Sequence, residues 1–227
     1  MQWSVVPASM PYLLQGFRAT LILSITVLAT GTMLGAVWGL LRVCPVPALQ
    51  RGMTALIEGV RSVPVLLQMF FIFFGLPALG IQMPVFLSAA LAMTLWMAAN
   101  LAEVIRGAIE SIPRGQLEAA SSTGLTYGQA MRSVIVPQAL RRMLPPFVGL
   151  CTILIKDTSL AAIIGVFELT RAAQETIERT FRSFELYLVV AAMYFVICFA
   201  LTSLSRMLER RLGSPGRAVL AGSVVLE

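Results

Sequence analysis

Lys156 and Asp157 stand together inside an apolar run, and Thr158 and Ser159 follow directly. An ammonium, a carboxylate and two hydroxyls at one depth could meet the charged and polar groups of a small solute. An ionisable group at the centre of a membrane costs at least about 2.5–3.5 kcal/mol, so such residues face a polar path or a partner. Neighbouring positions on a helix point about 100° apart, so the two cannot simply face each other. Two readings stay open. Either the cluster lines a solute path, or it ties this segment to another span through Glu103 or Arg61. Gln68 and Asn100 are further polar side chains within apolar stretches, and each is expected to face the interior, towards another helix or a solute.

Other chemistry is scarce. The 227 residues contain no histidine, which removes serine–histidine hydrolysis, imidazole zinc sites and a histidine proton shuttle together. Cys44, Cys151 and Cys198 lie far apart in or beside apolar segments and read as buried hydrophobes. Glu175 and Glu178 are close in sequence but sit among arginines, as on a solvated face, so a metal-dependent enzyme acting on lipid headgroups finds little support. Lys156 is the one lysine and lacks the glycine pattern of a phosphate-binding loop, so this chain cannot bind ATP in that way.

The elements that must position these groups are membrane spans. Hydrophobic residues make up 58% of the chain, charged residues only 12%, and the mean hydropathy is +0.85. An ordinary soluble domain is excluded. Ala19 to Leu41 is a 23-residue uncharged run, long enough to cross a core of about 30 Å. Gly31, Gly35 and Gly39 form a small-residue ladder on it, suited to close helix contact. The 41 uncharged residues from Ser62 to Ala102 are too many for one crossing, and Gly75 to Gly80 with Pro84 divide them. The spacing predicts an all-α membrane protein of about five spans, near 19–41, 53–75, 84–105, 143–167 and 186–206. Residues 1–211 form one domain and 212–227 a loose tail. No basic stretch precedes the first apolar run, so no cleavable signal peptide is expected.

Arginine placement orients the spans. Arg42, Arg51, Arg106, Arg114, Arg132, Arg141, Arg142, Arg206, Arg210, Arg211 and Arg217 share one side. Only Arg18, Arg171, Arg179 and Arg182 lie on the other. By the positive-inside tendency the N-terminus is outside and the C-terminus cytoplasmic. The polar segment of about 108–141, between spans three and four, is then cytoplasmic. Within it Pro113 suits a helix start, Glu118 the positive end of that helix, and Gly124 its stop. Thr126 to Gln129 has the form of a capping box. Tyr127, Ala130, Met131, Val134 and Ile135 recur on one face, and Pro137 is expected to end the second helix. Such a bent pair suits a groove on a partner; the plainer alternative is a helix lying on lipid headgroups.

Glu118-Ala119-Ala120, Gly124 and Val134-x-Val136-Pro137 resemble the EAA loop of ABC importer permeases. Every spacing of that pattern is kept, with valine at its Ile and Leu positions. Glu58-Gly-Val-Arg61-Ser-Val-Pro64-Val-Leu-Leu-Gln68, Ala102-Glu103-Val-Ile-Arg106-Gly107, Pro113-Arg-Gly115-Gln116, Pro137-Gln138-Ala139-Leu140-Arg141 and Lys156-Asp157-Thr158-Ser159-Leu160 are similar to the polar amino acid uptake branch. The resemblance runs to Arg211. Asn100 departs from it, where the branch more often carries an aromatic residue.

The resemblance implies a five-span permease half in the bacterial inner membrane that pairs with an identical or paralogous half. It implies docking to a separate ATPase through Glu118, Ala119, Ala120, Gly124, Thr126, Tyr127, Met131 and Pro137. ATP and its magnesium would be bound by that ATPase, and this chain would hold no cofactor. An external solute-binding protein would deliver a polar amino acid, with Phe167 to Arg171 and the basic outer residues leaning towards acidic or amide side chains. The competing function is a self-contained carrier driven by an ion gradient. That class calls for internal repeats, and none is evident.

Overall fold

The glycine ladder sets the centre of the molecule. In the computed structural model, which describes residues 3–212, α1 (Val5–Arg42) lies along α4 (Val85–Glu110). A Cβ on Gly35 would come within 2.9 Å of the Ala98 carbonyl oxygen and of the Leu101 Cβ, and Gly31 and Gly39 press as closely on Met97 and Ile105. Only glycine permits this approach. Around the seam Leu23, Val27, Met69, Met93, Met97 and Leu154 are buried together. α4 is the inner helix, more than half buried along its apolar stretch, whereas α9 (Ser183–Leu212) is mostly exposed along its own. The exposed Phe195, Val196 and Phe199 of α9 suit lipid or another chain.

Four helices are long and apolar enough to cross a membrane, and a bent pair makes a fifth. No β-strand occurs among the described residues. Against the expected five or so spans the structure has four, or five when the bent pair counts as one, and three boundaries differ. α1 begins well before residue 19, because Arg18 points outward and does not interrupt the backbone pattern. The continuous second span expected at 53–75 is instead broken. α2 (Pro47–Ser62) meets the next segment, Val65–Leu79, at 96°. Val63 is extended (φ −101°, ψ 127°), as the residue before Pro64 must be when proline crowds it out of the helical region. Beyond the break come α3 (Val65–Phe70), a π-turn at Phe71–Gly75 and a 3-10 turn at Leu76–Leu79.

The third difference concerns Pro137. After α5 (Arg114–Ser122), α6 (Tyr127–Ala130) runs through a π-turn at Met131–Ile135 into α7 (Val136–Asp157) and a 3-10 stretch at Thr158–Ile164. The whole run, Tyr127–Ile164, is one 38-residue span candidate. Pro137 does not end it. The proline sits in the first turn of α7, where the wider π-turn has already shifted the hydrogen-bond ladder and its missing N–H does little harm. The predicted fourth span, 143–167, is thus only the far part of this run. α8 (Leu169–Thr180) packs on α1 and α9. The tail at 213–227 lies outside the described residues.

Candidate functional site

The segment between α4 and α7 folds from local signals. Pro113 caps α5 with extended geometry (φ −56°, ψ 134°). At its other end Gly124 takes φ +85°, a conformation that costs a glycine little. The closing bonds are those of a left-handed stop. Gly124 N–H donates to the Ser121 carbonyl at 3.0 Å and Leu125 N–H to that of Ala120 at 3.2 Å. Thr126 then starts the next helix through a complete capping box. Its N–H donates to Gln129 Oε1 at 2.9 Å, and the Gln129 N–H reaches Thr126 Oγ1 at 3.4 Å.

This bend presents a defined surface. Glu118, Ala119, Gly124, Thr126 and Pro137 are exposed, and Tyr127 is 48% exposed. Nothing lies within 4 Å of a Cβ placed on Gly124. The expected apolar stripe is divided: Ala130 and Ile135 are buried against the chain itself, Met131 and Val134 are half-buried, and only Tyr127 stands clear. Ala120 is buried and anchors α5. Two polar ties fix the element to its neighbours. Gln138 Nε2 donates to Gln116 Oε1 at 3.3 Å, and Arg142 Nη1 to the Ser111 carbonyl at 2.5 Å.

The proposed path residues are less closely joined. Lys156 is exposed and Asp157 half-buried where α7 ends. The buried Thr158 donates its hydroxyl to the Ile155 carbonyl at 2.6 Å, and Ser159 donates to that of Lys156 at 2.7 Å. Both hydroxyl protons are therefore spent on their own backbone. Among the described residues no ion pair holds Lys156 or Asp157. The expected link to Glu103 or Arg61 is not made, because those two are 3.7 Å from each other in a different cluster. Gln68 does not join a distant helix: its Nε2 donates to the carbonyls of Val60 and Val63 at 2.9 and 2.8 Å, closing the bend it follows. Asn100 bonds back to the Trp96 carbonyl of its own helix at 2.8 Å.

Two constellations escape sequence reasoning. Arg42, only 7% exposed, donates to Glu103 at 2.6 Å and to Glu58 at 3.1 Å, tying the end of α1 to α4 and α2. Arg61 and Arg106 add to the same carboxylates, and Arg106 also bonds Glu110. The plain i,i+3 pair of Glu58 and Arg61 is a minor edge of this network. At the far end of α1, Glu168 is fully buried. It caps α8 by accepting from Arg171 N–H at 2.7 Å, and it accepts from Tyr194 at 2.8 Å and Thr20 at 3.4 Å. Burial raises its carboxyl above the ordinary glutamate value, against the opposing pull of these donors. Glu175 shifts the other way, held low by the Tyr12 hydroxyl and by Arg171.

The described residues thus form a helical multi-pass membrane protein with an exposed, capped bend between two of its long helices. The chain belongs to the family of binding-protein-dependent transport system inner membrane components, whose pattern matches residues 31–214. It is 39% identical over 204 residues to a probable glutamine ABC transporter permease of Bacillus subtilis, covering 88% of this chain and 93% of that protein. Against a glutamine transport system permease of Escherichia coli K12 it is 38% identical over 212 residues, 92% and 97% covered. Its fold superposes on a crystal structure of an amino acid ABC transporter with histidines at a TM-score of 0.89, with 31% identity and 93% and 99% covered. A methionine ABC transporter in an inward-facing form shares the fold at 0.72, with 21% identity and 88% and 97% covered. The chain is thus a multi-pass permease of the inner membrane.

Proposed function

We propose that this chain is the membrane-spanning half of an ATP-driven importer for polar amino acids, with a separate ATPase seated on the bend at 114–137. The observation that carries the reading is the exposed Glu118-Ala119 face ending in a left-handed Gly124 with open space beyond it. A carboxylate, a small residue and a bare turn fit a groove better than they fit lipid. Tyr127, Met131 and Pro137 border the same surface from the following helix. Arginine placement supports a cytoplasmic position for this end and an outside N-terminus. The likeness to relatives named for glutamine supports an amino acid substrate. A second permease half and an external solute-binding protein complete the assembly, and the ATPase binds ATP and magnesium.

Lys156, Asp157, Thr158 and Ser159 are proposed to border the solute path, since the two ionisable groups have no ion pair within the described chain. Asp157→Glu, which keeps the charge and moves it about one methylene, is expected to change uptake affinity or rate; unchanged uptake removes Asp157 from the path.

The central test is gentle purification of the tagged chain from its own membrane. A P-loop ATPase that accompanies it, and is lost with Glu118→Lys or Gly124→Asp while insertion is unaffected, is the expected result. A chain that comes alone and moves solute in vesicles without ATP would replace this reading with a gradient-driven carrier.

A further inference from the structure

α2 is a rod held in an unusual way. Both of its ends are non-helical: the Cys44–Val46 turn before it and the extended Val63 after it. Its apolar contact with the body of the protein joins Met53, Ile57 and Val60 to Trp38 and Leu41 of α1 and to Ala99 and Ala102 of α4. On its other side a cleft of about 480 Å³, lined by Leu56, Gly59, Gln68, Phe71 and Leu95 among others, separates it from the segment beyond the bend. Beside this apolar seam, ionic contacts tie one end of α2 to both neighbours. Glu58 of α2 meets Arg42 of α1 at 3.1 Å, and Glu103 of α4 meets the same guanidinium at 2.6 Å. Arg61 of α2 waits 3.7 Å from both carboxylates.

The composition of the cluster suits exchange. Arg42, Arg61 and Arg106 face Glu58, Glu103 and Glu110, so partners can change without leaving net charge behind. Arg61 is within ion-pair range but beyond hydrogen-bonding distance, which makes it the ready substitute for Arg42. Glu58 is half exposed, and partly solvated pairs break at little cost. Tyr127, the first residue after the capped bend, lines a cleft of about 270 Å³ together with Arg42, Arg106, Glu110, Gln50 and Thr54. The docking element and the ionic cluster therefore share one wall.

We propose that Glu103 is a positioning residue, the centre of a latch that holds α2 against α1 and α4, and that Tyr127 carries movement of the docking bend to this latch. The inference rests on the docking reading above. Closure of the ATPase pair shifts Tyr127, Glu58 exchanges Arg42 for Arg61 while Glu103 keeps Arg42 paired, and α2 swings about its two hinges.

The test uses the complete transporter in vesicles. Glu103→Gln is expected to retain its ATPase in full amount, to raise solute-free ATP hydrolysis about threefold and to lower solute moved per ATP about tenfold. Glu103→Asp restores part of that ratio, which loss of folding alone would not produce. An unchanged ratio in Glu103→Gln overturns the latch. If Glu118→Lys keeps its ATPase, the docking reading fails while the Glu103 result still stands or falls by its own ratio. A second measurement covers a Glu103→Gln chain that fails to insert. With Cys44, Cys151 and Cys198 replaced, a disulfide between Ile57→Cys and Ala102→Cys should stop uptake with the ATPase bound, and reductant should restore it. Oxidised transporter that carries solute at the reduced rate overturns the swing of α2.

Discussion

At Arg42 two carboxylates from different helices share one guanidinium, and two more arginines stand beside them. About 33 Å along the same helix, at Thr20, the buried Glu168 is held only by hydroxyls and backbone N–H groups. The first arrangement is ionic, partly wet and has spare partners. The second is dry, each bond has one geometry, and a Cβ on nearby Gly16 would fall 2.9 Å from the Glu168 carbonyl oxygen. One helix thus has an end that can re-pair and an end that cannot. A transport subunit needs both, since motion is useful only against a fixed frame.

The largest effect should come from forcing the fixed end. Gly16→Leu meets backbone, the Glu168 oxygen and Leu169 Cα, which cannot turn aside; Gly39→Leu meets only the Ile105 side chain. Overpacking commonly costs about 1–3 kcal/mol and more where the neighbour is rigid, so Gly16→Leu should exceed about 3 kcal/mol and Gly39→Leu stay near the lower end. Unfolding midpoints in detergent rank the two. Equal losses would erase the difference between the ends.

Arg42→Met comes next. Removing one partner of a buried ion pair costs about 3–5 kcal/mol, but Glu58 is half exposed and Arg61 and Arg106 remain. A loss of about 2 kcal/mol is expected, with salt screening the exposed part. A full loss of about 5 kcal/mol would mean that the spare arginines do not substitute.

Acid should separate two carboxyls of the fixed end by slope. The Glu168 carboxyl is raised by burial, so its contribution is whole below the ordinary glutamate value and is lost as pH rises through its folded value. Glu175 is lowered, so its contribution is whole above that value and is lost as pH falls. Glu168→Gln should therefore compare best with the parent at higher pH, and Glu175→Gln at lower pH. Stability measured across the acid range checks the two signs, and a like slope for both variants would contradict the burial of Glu168.

What the residues disclosed and what they hid follows from range. The glycine ladder, the Gly124 stop and the Thr126 box are local patterns, and each sits where its spacing places it. The break at Val63 was carried by Pro64, but counting charges from Ser62 onward merged the end of α2 with the apolar run. Pro137 misled because a π-turn before it is invisible in composition. The ionic cluster joins Arg42 to partners 16 and 61 positions away, and no periodicity reports such pairs. Glu168 carries no local pattern that marks it as buried, since only the approach of Thr20 and Tyr194 buries it. For the solute path, Lys156 and Asp157 were legible as costly charges, while the partners expected for them were already taken.

The smallest effect belongs to Thr126, and it probes where the movable end begins. Thr126→Ala removes one half of the capping box, worth about 1 kcal/mol, and leaves Gly124 and Glu118 unaltered. The first turn at Tyr127 should fray, while α5 keeps its own closing bonds to Ser121 and Ala120. If the bend acts only as a knob, ATPase affinity should fall no more than about fivefold, matching that energy, with solute moved per ATP unchanged. If Tyr127 also carries motion towards Arg42 and Arg106, the transport ratio should fall further than the affinity does. Titrating the ATPase against the parent and Thr126→Ala and counting solute per ATP distinguishes a surface that merely binds from one that transmits.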